Sequence, residues 1–251
     1  MARNKGRGLP GKLLKRSFFE APPELVAPRV LGKVLACRGR SGWMAGRIVE
    51  IEAYLGPDRQ IADPAAHTYR GPTARNRVLF GPAGHAYVYF IYGQYFCMNI
   101  SCEKEGQGGG VLLRALEPLT GLEQMARNRR LDPSPLLSAA RSAAEKGGAT
   151  RRKGPDRACE LASGPGRLCQ ALDITRSAHN GLDLLDPESP LQVRDDGFQC
   201  TRVLVTTRIG IRHAADLPLR FALIGNPCVS GSKTIAGKII SLHSLSLRRL
   251  K

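Results

Sequence analysis

Two carboxylates and a phenol are spaced so that they fall on one side of a single strand. Residues 46–55 are rich in apolar and β-branched side chains and are bounded by glycines and a proline, which predicts a β-strand. Because side chains at i and i+2 share a face of a strand, this strand should present one polar and one apolar face. The polar face carries Ile48, Glu50, Glu52 and Tyr54, and the apolar face, expected to be core, carries Val49, Ile51, Ala53 and Leu55. A carboxylate beside a phenol can do acid–base chemistry, although acidic residues on a strand are most often simply solvated.

The aromatic residues of the chain are concentrated soon after this strand. All 6 tyrosines lie between Tyr54 and Tyr95. Aromatic residues in strands are commonly core, and Phe90 and Phe96 are interpreted in that way. Tyrosines differ because each buried hydroxyl needs a hydrogen-bond partner. Tyrosine faces that line a pocket could hold an unstacked base, with stacking worth about 1–3 kcal/mol per base.

A β-hairpin is predicted within the aromatic stretch. Residues 85–92 and 96–101 have the composition of two strands joined through Gly93, which places Tyr92 at the tip. A tip aromatic is too exposed to be ordinary core. In a strongly basic protein it can be a wedge that inserts between base pairs.

The charge of the chain favours a polyanionic partner. It has 251 residues, with 38 Lys and Arg against 21 Asp and Glu, a formal net charge of +17. Such a field attracts polyanions, of which nucleic acid is the first candidate. The apolar content of 42% is that of a globular protein, and the absence of a long apolar run excludes a membrane-spanning helix.

The remaining elements predict a single domain of the α+β class, a mixed and largely antiparallel sheet with flanking helices. Strands are expected at 111–116, closed by Pro118, and at 202–209 and 219–224. Helices are expected at 22–32, 165–172 and 119–129, the last beginning near Thr120 with Glu123 placed for a capping box.

Three basic segments flank or interrupt this domain. Residues 1–16 are expected to be a flexible arm and residues 231–251 a tail, and residues 128–157 are expected to be a basic, mobile segment within a domain spanning 17–230. Solvated tails are the simplest interpretation, yet they would raise affinity for DNA or RNA through counterion release.

Several kinds of site are missing from the sequence. It has no HExxH, no CxxC pair, no P-loop and no GxGxxG motif, so no metal and no cofactor is expected. The 7 cysteines are interpreted as free, mostly buried thiols of a reducing compartment. His67 taken alone is most simply structural, and the Arg-rich loop at 70–77 is either soluble surface or a phosphate contact.

Several long motifs resemble the alkyladenine (3-methyladenine) DNA glycosylase family. They are Ile-Val-Glu-Ile-Glu-Ala-Tyr-Leu-Gly-Pro (48–57), Ala-Ala-His (65–67), Thr-Ala-Arg-Asn-Arg (73–77), Tyr-Val-Tyr-Phe-Ile-Tyr-Gly-Gln-Tyr-Phe-Cys-Met-Asn-Ile (87–100), Val-Leu-Leu-Arg-Ala-Leu-Glu-Pro (111–118), Ser-Gly-Pro-Gly-Arg-Leu-Cys-Gln-Ala-Leu (163–172) and Leu-Arg-Phe (219–221). Their order and spacing are compatible with the family from about residue 9 to residue 230.

The resemblance implies a monofunctional, metal-free enzyme that hydrolyses the N-glycosidic bond of flipped-out alkylated or deaminated purines, such as 3-methyladenine, hypoxanthine and ethenoadenine, and leaves an abasic site. It assigns the general base to Glu52, which activates water, and assigns to Arg114 the holding of that water and of Glu52. The remaining assignments are the base pocket (Tyr54, His67, Tyr89), the gate against the guanine 2-amino group (Asn99), the intercalating wedge (Tyr92) and the contacts to the DNA backbone (Arg75, Arg77, Arg167).

The expected partner is double-stranded DNA containing a damaged purine, bound by a monomer without membrane or metal. The expected location is intracellular and DNA-associated, in the nucleoid or the nucleus. Two other functions fit the same basicity. A non-catalytic nucleic-acid-binding module would use the charge and the tyrosines but has no use for Glu52 facing a pocket. An enzyme on another polyanion lacks its phosphate-handling and metal motifs.

Overall fold

The computed structural model describes residues 9–57, 60–136, 157–231 and 236–242. Its strands are β1 (Lys12–Leu13), β2 (Val34–Gly39), β3 (Gly42–Tyr54), β4 (Ala86–Ile91), β5 (Tyr95–Cys102), β6 (Gly109–Thr120), β7 (Leu191–Asp195), β8 (Arg202–Thr206), β9 (Arg220–Leu223) and β10 (Lys238–Ser241). Its α-helices are α1 (Pro23–Val30), α2 (Leu122–Asn128), α3 (Pro165–Ala171) and α4 (Arg176–His179). Short 3₁₀ helices span Arg16–Phe18, Arg77–Phe80 and Arg157–Leu161.

The strands join in one sheet, and every pairing of the described strands is antiparallel. The main order is β1-β7-β2-β3-β6-β5-β4, and β9 branches from β3 to carry β8 and then β10. The long strand β3 is therefore the hub, since it pairs with β2, β6 and β9. Helix α1 starts at a proline, which suits a first helical turn, and packs on β3 and β6. This arrangement confirms the predicted α+β fold.

Three register shifts interrupt the pairing of β3 with β6, and two of them are adjacent, around Glu50. The partners run from Ile48–Leu116 to Glu50–Ala115 and then to Ile51–Leu113. Val49 and Arg114 therefore each lack a residue directly opposite, and bulges of this kind redirect side chains. The extra residue also makes the predicted alternation wrong at Ile48, which lies in the same apolar core as Val49 and Ile51.

Two predicted boundaries around β6 are wrong. The strand does not close at Pro118 but continues through it to Thr120, because Pro118 lies opposite Gly46 at an irregular step of the ladder. Helix α2 consequently begins later than predicted. Its N-cap is Gly121 in the left-handed conformation and no side chain caps it, so the Thr120–Glu123 capping box does not form.

Parts of the two predicted tails lie on the sheet. Lys12–Leu13 pair with β7, and the Arg16 guanidinium donates to Asp183 over 2.6 Å, so this part of the predicted arm contacts the sheet. Lys238–Ser241 pair with β8 at the other edge. The remaining parts of the predicted basic segments, residues 1–8, 137–156, 232–235 and 243–251, lie outside the described residues. Their contribution to nucleic-acid affinity remains a sequence-based prediction.

The cysteine prediction needs correction. Cys159 and Cys228 form a disulfide across 69 residues of sequence, which joins the 3₁₀ helix at Arg157–Leu161 to the segment after β9. The fold brings these two cysteines together, and their spacing along the chain could not predict that they pair. The other five cysteines are free, and of these Cys37, Cys97, Cys102 and Cys169 are buried.

The hairpin of β4 and β5 is confirmed and ends in a tight turn. Tyr92 and Gly93 both have positive φ, of 49° and 65°, and the Gln94 amide donates to the carbonyl of Ile91 over 3.1 Å. Left-handed backbone is uncommon for a residue other than glycine and holds Tyr92 at the exposed tip. No helix among the described residues has the length and apolar character that crossing a membrane would need.

Candidate active site

A cavity of about 340 Å³ opens between the hairpin, β6 and the loops that follow residues 54 and 206. That volume lies in the range of small-ligand sites, about 300–1,000 Å³. Its wall is largely aromatic and apolar with a few polar groups. The residues that define it are Tyr54, His67, Tyr89, Tyr92, Asn99, Arg114 and Ile209.

Glu52 lies behind the inner wall of this cavity. Its side chain is 0% exposed, and three neighbours hold it. Oε1 accepts the backbone N–H of Ile209 over 2.8 Å and lies 3.1 Å from Nη1 of Arg114. Oε2 accepts the hydroxyl of Tyr54 over 3.0 Å. Since Tyr54, Arg114 and Ile209 all line the cavity, the carboxylate stands directly behind its wall.

Arg114 bridges the two glutamates of β3. Its Nε donates to Oε1 of Glu50 over 2.8 Å while Nη1 faces Glu52. The bulge on β6 aims this side chain at both carboxylates at once. Burial opposes the charge of the guanidinium, but Glu52 and Glu50 outweigh burial and raise the pKa of Arg114 above its usual range.

A second buried ion pair supports the far side of Tyr54. The guanidinium of Arg208 lies 4.6 Å from the centre of the Tyr54 ring and makes two hydrogen bonds of 2.7 Å with Asp63. Arg208 also donates to the backbone carbonyl of Ala53 over 3.1 Å. Because Ile209 follows directly, the same anchor fixes the amide that Glu52 accepts.

His67 and Tyr89 form the aromatic wall opposite. Their ring centres are 4.5 Å apart in an edge-to-face arrangement, and Tyr87 stacks on Tyr89 with centres 5.0 Å apart. The Nδ1 of His67 lies 3.0 Å from the Tyr87 hydroxyl. Burial, and then the charge of Arg75, lower the pKa of His67, so the neutral imidazole is favoured at neutral pH.

Asn99 occupies the floor beside Gly110. Its side chain is 5% exposed, and its Oδ1 is buried with no hydrogen-bond partner. Gly110 also lines the cavity, and a Cβ there would lie 2.8 Å from a methyl group of Leu79, so close packing requires glycine at this position. Because Asn99 lines the cavity, its Oδ1 acceptor is available to a group that enters the cavity.

Tyr92 stands at the mouth of the cavity. It is 81% exposed although it is a large aromatic residue, and it lines the cavity with Ile91. The predicted position of Tyr92, exposed at the tip of the hairpin, is thereby confirmed.

The three arginines predicted to contact DNA are exposed and lie outside the main cavity. Arg75 lines a smaller neighbouring cavity of about 230 Å³ together with His67 and Tyr87. Arg77 opens the 3₁₀ helix that follows. Arg167 lies on α3, two residues after Pro165, which lines the main cavity.

Residues 17–227 match the family model described as methylpurine-DNA glycosylase (MPG). The chain belongs to the methylpurine-DNA glycosylase family. It is therefore a DNA glycosylase, a hydrolase of N-glycosyl bonds that serves DNA repair, as the resemblance in the sequence implies.

Curated relatives match nearly the whole glycosylase. A protein of Koribacter versatilis strain Ellin345, provisionally named a 3-methyladenine DNA glycosylase, is 50% identical over 220 residues, which cover 88% of this chain and 94% of its own. Relatives that carry the same name are 46% identical in Methanoculleus marisnigri (86% and 98% covered) and 45% identical in Burkholderia lata (90% and 94% covered).

Some residues of the glycosylase site escaped the sequence analysis. Arg208 and the amide of Ile209 lie far from Glu52 in sequence, and Asp63 carries no motif signal of its own. The strand pattern places Glu50 beside Glu52 but predicts no partner for it. Among the described residues, no group of three or more His, Cys, Asp or Glu side chains is arranged to hold a metal ion.

Proposed function

We propose that this glycosylase extrudes alkylated or deaminated purines from duplex DNA and hydrolyses their N-glycosidic bond with a water activated by Glu52. The observation that carries the proposal is the buried Glu52 carboxylate directly behind an aromatic cavity. The names of the relatives support 3-methyladenine as one substrate. The neutral lesions hypoxanthine and ethenoadenine complete the proposed class.

Glu52 acts as general base in this proposal. Oε2 accepts a single hydrogen bond, from Tyr54, whereas Oε1 meets both Ile209 and Arg114. Oε2 therefore retains the capacity to take a proton from water. The water oxygen bonds to C1′ of the sugar, its proton passes to Oε2, and the electron pair of the C1′–N bond leaves with the purine. General-base assistance of this kind contributes about 10²–10⁴ in rate.

The aromatic wall holds the extruded purine. Tyr54 and the His67–Tyr89 pair present ring surfaces to the cavity, and stacking on such rings contributes about 1–3 kcal/mol per base. Extrusion costs a few kcal/mol because pairing and stacking are lost. Tyr92 at the tip offsets part of this cost by filling the space that the purine leaves.

Selectivity is assigned to the floor of the cavity. A purine carrying a 2-amino group needs more room near Asn99 than hypoxanthine, which has none. The Asn99 side chain therefore acts as a gate against guanine, and its buried Oδ1 is available to the base that does enter.

Contacts to the DNA backbone are assigned to Arg75, Arg77 and Arg167, which are exposed around the cavity. The net charge of +17 adds affinity that is independent of sequence. The proposed catalytic unit is the domain at 17–230, acting as a monomer without metal or cofactor.

The test is base release. Duplexes holding hypoxanthine, 1,N6-ethenoadenine or 3-methyladenine are incubated with the protein in EDTA, and free base and abasic DNA are measured. Glu52→Gln should abolish release while keeping affinity for damaged duplex within about twofold. Glu117→Gln is the matched control, since Glu117 is a carboxylate of β6 that contacts Asn226 outside the site. Release by Glu52→Gln at the wild-type rate would reject the role of Glu52, and binding without release by the wild type would favour a non-catalytic module.

A further inference from the structure

Four charged side chains form a continuous buried line that ends at Glu52. In order they are Arg220, Glu50, Arg114 and Glu52. Glu50 and Glu52 are 0% exposed, Arg220 is 3% exposed and Arg114 is 7% exposed. Only the last two members of this line have a role in the reaction proposed above.

Glu50 is the centre of this line. Its Oε1 accepts Nε of Arg114 and Nε of Arg220, each over 2.8 Å. Its Oε2 accepts the amide of Ser230 over 2.6 Å. The guanidinium of Arg220 also donates to the carbonyl of Ser230 over 2.8 Å. Both oxygens of the Glu50 carboxylate therefore accept hydrogen bonds from neighbouring groups.

The charges of the line cancel when both carboxylates are ionised. Burial by itself would raise the pKa of Glu50, but Arg114, Arg220 and the Ser230 amide outweigh burial and hold the pKa below its ordinary value. Glu50 is therefore anionic at neutral pH. One cation is shared by two carboxylates, and the second cation faces only Glu50.

We propose that Glu50 is a positioning residue of the glycosylase: it fixes Arg114 against Glu52 and keeps the charge around Glu52 balanced. This inference rests on the proposed role of Glu52 as the base. Both oxygens of Glu50 are occupied by groups of the buried line and by the Ser230 amide, whereas Glu52 also contacts Tyr54, which lines the cavity. Glu50 therefore acts through Arg114 and not by touching the substrate. Glu50 thereby has a function in the reaction, although it would otherwise be counted as a buried structural ion pair.

The remaining ionisable groups around Glu52 leave this balance intact. Tyr54 and Cys97 face Glu52 from β3 and β5, and burial is the first cause that raises the pKa of each, so both are neutral at pH 7. Arg208 faces the ring of Tyr54, and its charge is matched by the bidentate contact with Asp63. The line of four charges therefore dominates the field at Glu52.

Opposite substitutions should move the pH dependence in opposite directions. Glu50→Gln leaves two cations against one carboxylate, which makes protonation of Glu52 harder. The acidic limb of the rate profile should move to lower pH by about one unit, with the plateau rate reduced about tenfold. Arg220→Gln leaves two carboxylates against one cation, so the acidic limb should move to higher pH.

The experiment measures single-turnover release of hypoxanthine from duplex DNA between about pH 3 and 9, a range that extends on both sides of the ordinary pKa of a Glu, about 4.3. The double variant Glu50→Gln/Arg220→Gln restores one cation and one carboxylate and should return the limb to the wild-type position. Arg47→Gln is the matched control, because Arg47 also lies on β3 and pairs with Asp196 away from the site. It should lose stability without moving the limb.

Carboxyl ¹³C NMR titration follows Glu52 in any folded variant whose release is too slow to measure. The inference would be overturned if the acidic limb of both single variants coincided with that of the wild type. It would also be overturned if the limbs of Glu50→Gln and Arg220→Gln moved in the same direction. These outcomes leave the proposed function standing as long as Glu52→Gln is inactive. Full activity of Glu52→Gln would instead refute the role of Glu52 itself.

Discussion

The hydroxyl of Tyr54 donates to Oε2 of Glu52 over 3.0 Å, while the ring of the same residue lines the cavity. One side chain therefore touches the carboxylate and presents a surface to the base. Burial first, and then the negative charge of Glu52, raise the pKa of Tyr54 well above its ordinary value. The phenol consequently stays protonated and donates this hydrogen bond across the working pH range.

Replacing Tyr54 by Phe separates these two contributions. The ring surface remains, so affinity for duplex containing hypoxanthine should stay within about twofold of wild type. Oε2 loses its donor, and a hydrogen bond to a charged group is worth about 1.5–3 kcal/mol, so base release should slow by about tenfold or more. Single-turnover release and a binding titration check the two parts. A variant that binds poorly but releases base at the normal rate would contradict the assignment.

Truncation of the hairpin tip should affect duplex more than single strands. Tyr92→Ala removes the 81% exposed side chain that is proposed to fill the space left by the purine. Binding to damaged duplex should weaken about tenfold, whereas binding to the same lesion in single-stranded DNA should change little, because a single strand offers no stack to fill. Phe90→Ala is the control, since Phe90 lies on the same hairpin and is also exposed, at 47%. Equal losses of affinity for duplex and single-stranded DNA would show that Tyr92 does not act as a wedge.

The strand-level features of the site could be predicted from sequence because they depend on period-two alternation. The prediction that Glu50, Glu52 and Tyr54 lie together is confirmed by the contacts of Arg114 and of the Tyr54 hydroxyl. The tip position of Tyr92 follows in the same way from Gly93. Local pattern is sufficient wherever the neighbours in space are also neighbours in sequence.

What the sequence could not provide is the set of partners brought in by topology. Alternation fails at Ile48 because a bulge adds Val49, and bulges leave no reliable sequence signal. Arg208 and Ser230 reach the site only because β9 pairs with the hub strand β3 and β8 pairs in turn with β9. The Cys159–Cys228 disulfide is a similar case, since two distant thiols become neighbours only after the sheet has formed.

The gate can be tested by a change of size. Asn99→Ser shortens the side chain beside Gly110 and makes room for the 2-amino group that distinguishes guanine from hypoxanthine. Release of guanine relative to hypoxanthine should rise about tenfold, in line with the modest discrimination that steric fit gives in a pocket. Competition between duplexes holding the two bases measures the ratio. If the ratio does not move, Asn99 is not the gate.

The disulfide should contribute to stability and not to chemistry. It closes a loop of 69 residues, for which constraint of the unfolded chain corresponds to about 2–4 kcal/mol. Urea unfolding of Cys159→Ala/Cys228→Ala should show this loss, and dithiothreitol should lower the midpoint of wild type but not that of the variant. Release of hypoxanthine at 25 °C should remain near wild type because neither sulfur lines the cavity. A variant as stable as wild type would show that the bond adds nothing.

Acid should weaken the fold through Glu50. Its pKa in the folded protein lies below 4.5, the ordinary value, because Arg114 and Arg220 outweigh burial. Ionised Glu50 therefore adds stability that is fully present above the unfolded-state value and is lost as the pH falls through the lower folded-state value. The free energy of unfolding of wild type should exceed that of Glu50→Gln at pH 7, and the gap should narrow as the pH falls from 5 to about 3. Urea titrations at each pH measure both curves. A gap that stays constant over that interval would mean that Glu50 carries no ionic stabilisation, and the buried line of charges would then be held by hydrogen bonds alone.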